Sequence, residues 1–144
     1  MGTSPDVVDV TGNTGIDNLP WVVGQGLGVS QFHDTEGVPW KVLVALHRRG
    51  NHGPVMANLA GAVRLLARRH DLLVVVPLQP NPAVSAVVVR AIGREARVRL
   101  IPPLGYFDFI ATLADCDFAM TDSGGVQEGS RQACSDPAEH HRTT

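Results

Sequence analysis

Aromatic side chains are scarce in this 144-residue chain, at 5% of the residues. That leaves little from which to build base-stacking platforms. A cationic excess is missing too. The formal net charge is −2, so the electrostatic footprint of a nucleic-acid binder is absent. No apolar run approaches the roughly 18 residues that a membrane-spanning helix needs. The first residues, Met1-Gly2-Thr3-Ser4-Pro5-Asp6, lack the basic and then apolar pattern of a secretory signal. Nucleic acid and membrane are therefore not expected as partners, and a cytoplasmic location is expected. The two cysteines, Cys116 and Cys134, do not stand at metal-ligand spacing, and reduced thiols are expected rather than a disulfide.

What remains is ordinary globular material, 44% hydrophobic and 18% charged. The length suits one domain with a real core, not two. Val7 to Val10 reads as a short strand, and Gly15 to Val22 as a short helix broken by Pro20. Gly24 to Pro39 is glycine-rich, has little periodicity and reads as a loop or linker. Lys41 to Leu46 has the continuous apolar pattern of a strand buried on both faces. Pro54 to Arg69 is an amphipathic helix, with Val55, Leu59, Ala62, Val63 and Leu66 on its apolar stripe. Leu72 to Val76 is a second buried strand, ended by Pro77. Pro82 to Ile92 is read as helix although its valines suit a strand, because a polar turn precedes it and Gly93 ends it. Val98 to Ile101 is a third strand, Tyr106 to Leu113 a helix with Phe109, Ile110 and Leu113 inward, and Asp117 to Thr121 a fourth strand. Alternating strands and helices imply an α/β fold with a parallel sheet. Gly129 to Thr144 has no apolar periodicity and is expected to be disordered or only partly helical.

The run Thr121-Asp122-Ser123-Gly124-Gly125-Val126-Gln127-Glu128 directly follows the apolar Phe118-Ala119-Met120. A strand that ends in a small-residue turn and then opens a helix is where α/β proteins hold phosphates. Glycine lets the backbone approach the ligand, and the free amides and dipole of the helix start favour an anion. The alternative is an ordinary strand–helix turn. His47, Gln79, Leu104 and Ser123 all follow strand ends, the side of a parallel sheet on which ligands bind.

Other segments add to this turn. Val10-Thr11-Gly12-Asn13-Thr14 with Ile16-Asp17, then Leu46-His47-Arg48-Arg49, then Asn81-Pro82 with Val84, stand in this order before it. Together, over about residues 7 to 128, the set resembles the non-hydrolysing UDP-N-acetylglucosamine 2-epimerases. The resemblance implies a three-layer Rossmann-like domain, the second, UDP-binding half of a two-domain glycosyltransferase-B-like architecture. It implies interconversion of UDP-N-acetylglucosamine and UDP-N-acetylmannosamine by elimination and re-addition of UDP, with no metal and no redox cofactor. UDP or a UDP-N-acetylhexosamine is the implied ligand.

Carried onto these positions, the resemblance makes His47 the histidine near the diphosphate that helps UDP leave and return. The other reading is a loop histidine bonded to backbone. Ser123, Gly124 and Gly125 become the diphosphate cradle. Arg48 and Arg49 face either the anion or solvent. Phe109 matches an aromatic that packs against uracil, yet it also lies on the inner stripe of its helix. Asn13 falls in the turn where the second domain begins, with a structural role expected.

The chain departs from the family pattern at several positions. The glutamate that grips the ribose is replaced by Gly129, and Glu128 fills that role only if its helix rotates or does not form. Gly50 replaces a glutamate after His47-Arg48-Arg49, and Gln79 stands where a histidine is usual. The proton-transfer carboxylates belong to the family's first domain, and Asp108, Asp115 and Asp117 read as helix and loop surface instead. The chain is thus expected to be truncated, with a tail arising from a frameshift, and to need a separate first-domain polypeptide or a homodimer partner. The rival readings are a fragment of a related glycosyltransferase and a non-catalytic nucleotide-sugar-binding remnant or module.

Overall fold

The computed structural model describes residues 18–33, 35, 37–38, 40–46, 54–68 and 71–124. The expected strand over residues 7–10, Asn13, Cys134 and the expected tail over 129–144 lie outside these residues. The elements run α1 (Leu19–Gly24), β1 (Trp40–Ala45), α2 (Pro54–Ala67), β2 (Leu72–Pro77), α3 (Pro82–Ile92), β3 (Val98–Ile101), α4 (Tyr106–Ala114) and β4 (Phe118–Thr121). The four strands form one all-parallel sheet in the order β3-β2-β1-β4.

Strand periodicity divides the core into two. Val42, Val44, Val74 and Val76 point to one face and pack against Met56, Ala60 and Val63 of α2 and Val84, Val88 and Ile92 of α3. Leu43, Leu73 and Val75 point to the other and meet Leu113, Cys116 and Phe32. The sheet thus lies between two layers, and the unbroken apolar runs of β1 and β2 are what burial on both faces requires. Cys116 is a buried thiol whose Sγ donates to the Leu113 carbonyl at 3.2 Å. Among the described residues no helix is long and apolar enough to cross a membrane.

One expectation needs correction. In α2 the sheet-facing stripe is Met56, Ala60, Val63 and Ala67, whereas Val55 is 49% exposed and Ala62 lies in solvent. Leu59 and Leu66 only flank the contact. The helix is apolar nearly all round, so the pattern does not select a face. The small side chains of Ala60 and Ala67, buried against the sheet, select it by close approach. The expected helix over residues 15–22 lies outside the described residues before Asn18; from Leu19 on, Pro20 belongs to α1. It sits in the first turn, where its missing N–H has no intrahelical partner to lose. The helix therefore runs on to Gly24.

The valine-rich α3 is a helix, for the local reasons expected. The Asn81 side chain accepts from the Ala83 amide at 3.0 Å, Pro82 opens the first turn, and Gly93, at φ 65°, stops it.

The segment between α1 and β1 contains neither helix nor strand among its described residues, yet it is fastened along α4. The Val29 amide donates to Asp108 Oδ1 at 2.9 Å, Ser30 Oγ to Asp115 Oδ2 at 2.6 Å, and the Gln31 amide to Thr112 Oγ1 at 3.2 Å. Thr112 is buried and itself donates to the Asp108 carbonyl at 2.6 Å. Phe32 then plugs the lower core. Gly28 is required by this close passage. Its φ is 86°, and a Cβ there would collide with the Phe107 carbonyl group.

Lys41 closes the same end of the sheet. Its amide donates to Asp117 Oδ2 and its Nζ to Asp115 Oδ1, both at 2.6 Å, with Nζ 5.9 Å from the Phe32 ring centre. Asp108, Asp115 and Asp117 are therefore fasteners of strand, loop and helix.

Two substitutions test this strap. Thr112→Val keeps the shape but strands the Gln31 amide, and is expected to cost about 1–3 kcal/mol. Gly28→Ala is expected to lose at least ~1–2 kcal/mol from the left-handed backbone alone. Urea unfolding, with the slope unchanged, measures both.

Candidate functional site

The strand order reverses direction at β1. From β1 the chain steps through β2 to β3 on one side, then returns to place β4 on the other. In open parallel sheets the crevice beyond the carboxyl ends at such a reversal is where ligands bind. Here it lies between the ends of β1 and β4, where Ala45 is registered against Thr121.

The chain leaving β4 turns at once. The Ser123 amide donates to Thr121 Oγ1 at 3.1 Å, a side-chain-to-backbone bond that tightens the turn, and helical backbone opens at Gly124. Ser123 is half-buried and Gly124 exposed. A Cβ built on Gly124 would meet nothing within 4 Å. This glycine is not demanded by its described neighbours. His47, Arg48, Arg49, Gly125 and Glu128 lie outside the described residues. On the β1 side the last described residue is Leu46, which is buried.

A third strand end adjoins the same crevice. Gln79, two residues past β2, donates its side-chain Nε2 to the Leu46 carbonyl at 2.5 Å. The sequence marked Gln79 as a departure from a family pattern, and gave no sign of this bond between two strand exits.

Phe109 is partly buried and packs against both the Phe32–Leu113 cluster and the Leu19–Val22–Ile110 cluster. Its place on the inner stripe of α4 accounts for these contacts. Two other aromatics, not singled out from the sequence as site residues, are more open. Tyr106 and Phe107 are 52% and 48% exposed and meet edge to face at 5.6 Å. They begin α4, after the carboxyl end of β3.

Asp115 and Asp117 lie at the opposite, amino end of β4, bonded to Lys41 and Ser30. They do not face the Ser123 turn.

Comparison with known proteins matches residues 1–132 to the family model described as UDP-N-acetylglucosamine 2-epimerase. The chain belongs to the UDP-N-acetylglucosamine 2-epimerase family. It is 40% identical over 124 residues to the Bacillus subtilis UDP-N-acetylglucosamine 2-epimerase, covering 85% of this chain and 32% of the relative. Among solved structures it resembles S. aureus MnaA with UDP, at 38% identity and a TM-score of 0.75, over 86% of this chain and 34% of that one. It also resembles the Neisseria meningitidis epimerase bound to UDP-GlcNAc, at 28% identity and a TM-score of 0.71, over 88% and 36% respectively. The chain thus spans about a third of the length of these epimerases. Its parallel α/β layer is the glycosyltransferase-B-like fold expected from the sequence.

Thr121→Val removes the acceptor of the Ser123 amide and is expected to cost about 1 kcal/mol. Faster exchange of the Ser123 amide, measured by hydrogen exchange, would accompany the loss.

Proposed function

We propose that this chain forms the UDP-binding half of a non-hydrolysing epimerase acting on UDP-N-acetylglucosamine, and that it does not turn the substrate over alone. The observation that carries the reading is the Thr121–Gly124 turn at the strand-order reversal, in register with the end of β1. Two structural relatives are complexes with UDP and with UDP-GlcNAc, which supports a nucleotide-sugar ligand here.

In this reading the diphosphate sits over the Ser123 turn. The Ser123 hydroxyl and the Gly124 and Gly125 amides donate to its oxygens, where the fixed dipoles of a helix start stabilise negative charge without reorganising. His47 donates a proton or hydrogen bond to the diphosphate oxygen as the C1–O bond breaks, and takes it back on re-addition. A guanidinium from Arg48 adds charge-matched binding. Phe109 borders the uracil, and Glu128 is the remaining carboxylate for the ribose.

The full reaction also removes the C2 proton as UDP leaves, giving a glycal, and returns a proton to the opposite face of C2 as UDP adds back. That step needs carboxylates within hydrogen-bond reach of C2. Asp108, Asp115 and Asp117 are engaged in fastening the fold, so the reading assigns the proton transfers to the family's first domain. The site works in the cytoplasm and uses no metal or redox cofactor.

Calorimetric titration with UDP, against GDP as control, tests the binding half of the proposal. Selective UDP binding is expected, weakened about tenfold in Ser123→Ala if its hydroxyl bonds the charged diphosphate. Absence of UDP binding overturns the reading. Turnover of UDP-N-acetylglucosamine by the purified chain in a coupled assay overturns the claim of inactivity.

A further inference from the structure

β2 is a central strand, yet it ends on proline. The Val74 amide donates to the Arg97 carbonyl and the Leu78 amide to the Ile101 carbonyl, each at 2.9 Å. Both therefore point at β3. Successive amides of a strand point to opposite sides, so those of residues 73, 75, 77 and 79 face β1. Pro77 occupies one of these donor positions and has no N–H. The β1–β2 ladder accordingly stops at Leu43 and Val75, while β2 stays paired with β3 as far as Pro77 and Ile101.

Beyond this missing rung the Leu46 carbonyl is captured by a side chain, Gln79 Nε2, at 2.5 Å. Extending the register of Leu43 with Val75 aligns position 47 with position 79. The β2–β3 pairing shows the offset, since Val74 is registered with Val98 but donates to the carbonyl one residue earlier. By that rule the backbone amide of Gln79 is the donor that a continued ladder would aim at Leu46. The side chain of the same residue makes the bond instead. Leu46 is only 8% exposed, so its carbonyl needs a partner within the protein.

We propose that Gln79 is a positioning residue. Its side chain takes the place of the rung that would follow the one lost to Pro77, and holds the chain where it leaves β1 at the strand-order reversal, one residue before His47 in sequence. Its consequence for ligand binding rests on the reading of this crevice as a UDP site.

The test compares wild type, Gln79→Leu and Gln79→His, the last restoring a ring N–H. Two readouts are needed: hydrogen exchange of the Ala45 and Leu46 amides, and UDP affinity by calorimetry. In Gln79→Leu, exchange is expected to rise and UDP affinity to fall, each about fivefold, the scale of one net hydrogen bond. Gln79→His is expected to return both to within about twofold of wild type, on the same scale. Unchanged exchange in Gln79→Leu overturns the proposal, and so does faster exchange with undiminished UDP affinity. If wild type binds no UDP, it is the nucleotide-site reading that fails, and Gln79 stands or falls on the exchange data alone.

Discussion

The fold depends on β1. It pairs with β2 on one side and β4 on the other, and its alternate residues enter both core clusters. A parallel strand in this position must be apolar on both faces, and it has no turn linking it directly to its neighbours. Each partner arrives only after a crossover. The sheet therefore holds together only if two separate helical layers cover it, and the chain between them must be fixed in place. The three bonds from Asp108, Thr112 and Asp115 to the segment before β1 fix it on the α4 side.

Lys41 shows how this is done with modest energies. Its ion pair with Asp115 is partly solvated, with side-chain exposures of 26% and 34%, and such a pair is worth little by itself. It matters because Asp115 also holds Ser30 while Asp117 holds the Lys41 backbone. Loop, strand and the end of α4 are thereby joined at a single point. The Asp117 amide returns a bond to the Lys41 carbonyl at 2.9 Å. The amino end of β1 and β4 is closed by hydrogen bonds in both directions.

Most of this fold was legible in the sequence because period and punctuation agree. β1 and β2 stand out as uninterrupted apolar runs, and α3 is rescued from its β-branched residues by Asn81, Pro82 and Gly93. The stripe of α2 was not legible, because a helix apolar on most sides offers no contrast, and fit against the sheet decides. The strap was not legible either. Val29 to Asp108 and Ser30 to Asp115 are separated by 79 and 85 residues, and no local pattern links an aspartate to a group so distant in the chain. Of the candidate site, the turn at Ser123 was legible from its small residues after an apolar run. The Gln79 bond was not, since it depends on which neighbour each amide of β2 faces.

The two ends of the sheet differ in kind. At the amino end, side chains and backbone join β1, β4, α4 and the preceding segment. At the carboxyl end Pro77 removes a rung between the two central strands, and beyond it the Gln79 side chain bonds the Leu46 carbonyl. The β4 turn there is tied by the Thr121 hydroxyl, among the described residues. That end is where the strand order reverses, and where a parallel sheet presents free amides to a ligand. The two faces of β4 also differ. Phe118 and Met120, registered with Val42 and Val44, continue the face covered by α2 and α3, yet they are 49% and 44% exposed. The helices α2 and α3 pack on β1 and β2, and α4 lies on the opposite face. The exposed side of β4 is thus a consequence of strand order. The reversal that creates the crevice also carries β4 past the helical cover on that side.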